Sequence, residues 1–99
     1  MSSRFPAATA SLPGAELVEE GVADLHAGRE TPVAALVSMA APRLRDLGVE
    51  VPRTIDGRPS HRLYDLLCEE DPPSAHSRYN ALVGRIVSFA RAAEHARAG

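Results

Sequence analysis

His61 and Asp65 stand four residues apart, and Glu69 follows one turn later. On a helix that spacing lines the imidazole and both carboxylates along one face. An imidazole beside carboxylates is the start of a divalent-metal site, and His76 is the downstream residue that could approach it. Zinc asks for three or four N, S or O ligands in a tetrahedral array. The chain has neither an H-E-x-x-H pattern nor paired C-x-x-C motifs. A metal-dependent enzyme centred on His61 and Asp65 is therefore the least supported of three functional readings. The plainer expectation is a histidine and a carboxylate on a wet helix face, with no metal and no cofactor.

Nucleophilic chemistry fares no better. Cys68 is the sole cysteine and follows Leu66 and Leu67. A thiol nucleophile needs a neighbouring base and an orienting group, so a small, partly buried side chain is expected instead. The run Ser74-Ala75-His76-Ser77-Arg78-Tyr79-Asn80 holds many catalytically useful groups, but helical geometry scatters them around the axis. Ser74 is better placed as a helix cap. The chain has no glycine-rich phosphate loop.

Arg53, Arg58 and Arg62 cluster between residues 53 and 62, with Arg78 and Arg85 further on. Arginine clusters neutralise phosphates, and the Pro72-Pro73 turn between two helices is similar to a helix-turn-helix arrangement. These features carry the second reading, nucleic-acid binding. Against it stand a formal net charge of -2 and a pI near 6.0, because phosphate affinity scales with the number of charges neutralised. Asp56 and Asp65 also lie within the cluster. The helix that would enter the groove presents Ala81, Gly84 and Ser88, which read few bases.

Ninety-nine residues make one domain. All the basic residues are arginine, and alanine is the commonest residue with 17 copies. GC-rich coding in a bacterial or archaeal genome accounts for both, so arginine is not by itself a sign of phosphate recognition. No apolar run approaches the ~18 residues of a membrane span. One cysteine and no secretory-type apolar segment point to the cytoplasm. Residues 1–11 are expected to form a flexible arm, and residues 12–99 a single helical domain. The core is thin: tryptophan is absent and aromatic residues make up 4% of the chain. Oligomerisation or a partner often supplements so small a core.

Four helical segments position these side chains. The first runs from Leu12 to Gly28, with Leu17, Val18, Gly21, Val22 and Leu25 on the apolar face. Glu16, Glu19, Glu20 and Asp24 are expected in solvent opposite. Thr31 as N-cap and Pro32 at the first helical position open the second helix. Its stripe is Val33, Leu36, Val37, Ala40, Leu44 and Leu47. Pro42 lies inside it and predicts either a kinked helix or two abutting ones. Residues 48–60 form a long connection that Val49, Val51 and Ile55 anchor to the core or fold into a minimal hairpin. The third helix spans about 60–71 and ends before Pro72. The fourth runs from Ser74 to about 98, with Ala75, Tyr79, Leu82, Val83, Ile86, Phe89, Ala90 and Ala93 inward. The fold class is all-α, a four- to five-helix bundle.

The fourth helix has a second face. Ser77, Ala81, Gly84, Ser88 and Ala92 recur at steps of four, three, four and four, away from Ile86 and Phe89. Solvated helix faces usually carry long charged side chains, whereas small residues let two helix backbones come close. Cover on both sides of this helix is therefore expected. The first candidate for that cover is the second helix or the 48–60 connection. The second is another copy of the chain or another protein, and the remaining alternative is an alanine-rich face with no partner. Arg78 and Arg85 flank the stripe, where they either snorkel, pair with Glu69, Glu70 or Asp71, or fix a partner's register. The leading functional expectation follows: a protein–protein interaction module, a homo-oligomer or an accessory subunit of an assembly, acting through this face.

Overall fold

The computed structural model describes residues 10–98, with side chains as far as residue 96. It contains four α-helices: α1 (Ala15–Ala27), α2 (Pro32–Asp46), α3 (Pro59–Glu70) and α4 (Ala75–Ala98). A 3₁₀ turn over Pro72–Ser74 leads into α4, and there is no strand among the described residues. The arm expected at 1–11 falls outside the described residues up to residue 9. No helix among the described residues is long and apolar enough to cross a membrane.

The helix ends follow from local chemistry. Gly28 adopts φ 76°, a left-handed conformation that costs glycine nothing. This lets the Arg29 and Gly28 amides reach the Asp24 and Leu25 carbonyls, the Schellman closure of α1. The C-terminus of α2 closes the same way, with Val49 and Gly48 bonding to Leu44 and Arg45. At the start of α2 the Thr31 hydroxyl accepts the Ala34 amide at 3.2 Å, and Pro32 occupies the first turn. Pro42 sits on an exposed position of one continuous helix, so α2 is not two abutting helices. Ser74 differs from expectation. Its hydroxyl donates to the Asp71 carbonyl at 3.3 Å and closes the 3₁₀ turn that precedes α4.

α2 is the central element and touches α1, α3 and α4. Leu36, Val37 and Leu44 from α2 are fully buried with Val18 (α1), Leu63 and Leu67 (α3) and Phe89 (α4). Residues 49–58 do not form a hairpin. Val49, Val51 and Ile55 are buried, which satisfies the anchoring alternative. The buried Ser38 hydroxyl holds this segment in place: it donates to the Ala34 carbonyl at 2.9 Å and accepts the Ile55 amide at 3.0 Å. A buried amide left without such a partner would cost about 1–3 kcal/mol.

Gly21 sets how closely α1 and α2 approach. A Cβ at this position would lie 2.3 Å from Val37 Cγ2 and 2.5 Å from the Val33 carbonyl oxygen. Only a residue without a side chain permits this approach. The sequence pattern placed Gly21 on the correct face, but nothing in the pattern marks it as a point of close helix–helix approach.

Asp24 also departs from expectation. It is buried, not solvated with Glu16, Glu19 and Glu20. Its carboxylate accepts the Thr31 hydroxyl and Arg29 Nε, the latter at 3.0 Å. The tight turn from α1 to α2 folds both donors back over the last turn of α1. The carboxylate can be buried because both its oxygens are bonded.

Candidate interaction face

α4 has 24 residues and so spans about 36 Å, against a longest molecular dimension of 40 Å. It therefore runs nearly the full length of the protein. Its inner face is as the periodicity predicts: Ala75, Ile86, Phe89, Ala90 and Ala93 are buried, and Tyr79, Leu82 and Val83 pack on the core at partial exposure.

The outer face is open. Ser77, Ala81, Gly84 and Ser88 are exposed, and Ala92 is half-buried. Among the described residues, no atom lies within 4 Å of a Cβ built on Gly84. The expected cover by α2 or the 48–60 connection is thus absent. The reason is that both are engaged elsewhere: the buried side of α2 and Val49, Val51 and Ile55 converge on the shared core, and Ile55 is bonded to Ser38 of α2. Beside the stripe runs a shallow groove of about 330 Å³, lined by Pro13, Gly14, Ala81, Gly84, Arg85 and Ser88. Gly14 forms its other bank because the start of α1 packs close to α4. A Cβ on Gly14 would sit 3.2 Å from Phe89 Cβ.

The arginines flanking the stripe are paired within the chain. Arg78 Nη2 lies 2.7 Å from Glu70 Oε1, one of the pairings the sequence offered. Arg85 Nη2 lies 2.8 Å from Glu16 Oε1, a partner 69 positions away that local spacing cannot reveal. All four side chains are at least two-fifths exposed, so each pair is worth about 0–1 kcal/mol. Their effect on the face is still clear. The edge at Arg78 and Arg85 carries compensated charge, the opposite edge carries the exposed Arg91, and the centre carries small neutral side chains.

At the far end of α4, Glu94 makes two 2.7 Å bonds to Arg43 of α2. Those bonds hold the Glu94 carboxyl below the usual carboxylate range and raise the Arg43 guanidinium above its ordinary value.

The other sequence candidates are dispersed. Arg53 Nε donates to the Leu25 carbonyl at 3.0 Å and so serves the C-terminal end of α1. Arg62 Nε is 2.9 Å from Glu30 Oε1, and its Nη1 is 3.7 Å from Glu69 Oε2. Arg58 is exposed at the start of α3. His61 and Asp65 are both exposed. Glu69 faces Arg62, and the His76 ring lies 3.3 Å from Asn80 Nδ2 on its own helix. No group of three His, Cys, Asp or Glu side chains able to hold a metal occurs among the described residues. Cys68 is half-buried against the core. The chain matches no described protein family, and neither a curated protein nor a solved structure shows significant similarity to it.

Proposed function

We propose that this protein is a helical protein–protein interaction module whose docking surface is the outer face of α4. The observation that supports this reading is the combination at residues 77–88. Ser77, Ala81, Gly84 and Ser88 are exposed, none of the described residues stands over Gly84, and Arg78 and Arg85 are already neutralised. A helix laid here could approach closely without stranding the charge of Arg78 or Arg85, and burying an unpaired charge is costly at an interface. The partner is a second copy of the chain or a subunit of a larger assembly. Nucleic-acid binding is a weaker reading, since Arg62, Arg78 and Arg85 each have a carboxylate within 3 Å.

Gly84→Leu tests the proposal. The position is open, and leucine has a better helix propensity than glycine, so the variant folds at least as well as the wild type. The proposal expects wild-type protein to show a solution mass above one chain, or to retain a defined partner on co-purification. The leucine variant should remain a folded monomer that has lost either association. The proposal is overturned if the wild type is a monomer without a partner. It is equally overturned if Gly84→Leu keeps every association of the wild type.

A further inference from the structure

We draw no further inference here: the strongest candidate, the cleft of about 310 Å³ between the α1–α2 turn and residues 53–56 with Arg29 and Arg53 in its walls, carries nothing because Asp24 already holds Arg29 and Glu30 and Asp56 line the same space, leaving no net charge to select a ligand.

Discussion

Replacing glycine by alanine at positions 21 and 84 is the same chemical change in two helix interiors, and the structure predicts opposite outcomes. Helix propensity alone favours alanine at both sites by about 0.5–1 kcal/mol. At Gly84 none of the described residues comes within 4 Å of the new methyl group, so that gain is realised in full. At Gly21 the methyl would meet Val37 Cγ2 at 2.3 Å and the Val33 carbonyl oxygen at 2.5 Å. Ordinary contacts between carbon atoms begin near 3.5 Å, so both neighbours are far too close and something must shift. Val37 can rotate, but the Val33 carbonyl is backbone within a helix and cannot. Overpacking of this kind costs about 1–3 kcal/mol, occasionally more. The backbone clash puts the cost in the upper part of that range, about 2–3 kcal/mol; propensity offsets about 0.5–1 kcal/mol of it, so the net loss at Gly21 is about 1–2.5 kcal/mol. For a domain of this size, 1 kcal/mol moves Tm by about 4–8 °C. Thermal unfolding followed by circular dichroism should therefore place Gly21→Ala roughly 5–15 °C below the wild type. Gly84→Ala should melt a few degrees above it. All three proteins should be measured at one low concentration, because association raises apparent stability by mass action. A Gly21→Ala protein as stable as the wild type would refute the packing argument. A destabilised Gly84→Ala protein would show that the outer face of α4 is not free in the folded chain.

Three further predictions concern the polar contacts. Ser38→Ala leaves the buried Ile55 amide without its acceptor; it should cost about 1–3 kcal/mol and selectively speed hydrogen exchange at Ile55, and unchanged exchange there would contradict the bridging role. Asp24→Ala removes the acceptor that gathers Thr31 and Arg29 at the α1–α2 turn and should lower the urea midpoint by the equivalent of about 1–3 kcal/mol, whereas Glu19→Ala, on the exposed side of the same helix, should leave the midpoint nearly unchanged. The Glu94 carboxyl titrates lower in the folded chain than in the unfolded one, so its contribution is present above the unfolded value near 4.3 and is lost as pH falls through the folded value. Glu94→Gln should therefore reduce the loss of stability below about pH 4, and an unaltered acid limb would count against the Arg43–Glu94 pair.

Much of the architecture follows from short-range signals. Thr31-Pro32 starts α2, Gly28 and Gly48 end helices, and Pro72-Pro73 separates α3 from α4, because each acts through dihedral preference or a bond within a few residues. The apolar periodicity of α4 identified its buried face, since burial of one stripe is a property of the helix itself. The same periodicity exposed the small-residue stripe at 77–92 but could not say what lies over it. Cover depends on where other elements go.

The misread Asp24 and the contacts that the sequence pattern does not reveal share one physical cause. Asp24 looks like another surface acid until the turn after α1 brings Thr31 and Arg29 back to it. Gly21 looks like one more small residue on an apolar face until α2 is laid across it at a distance no side chain tolerates. Arg85 finds Glu16, and Arg43 finds Glu94, across separations of 69 and 51 residues. Local dihedral preference and periodicity, both properties of a few neighbouring residues, determined the helices, their ends and their buried sides. Distances between helices and the pairing of their surface charges were left to packing, because those depend on how elements far apart in the chain share one core.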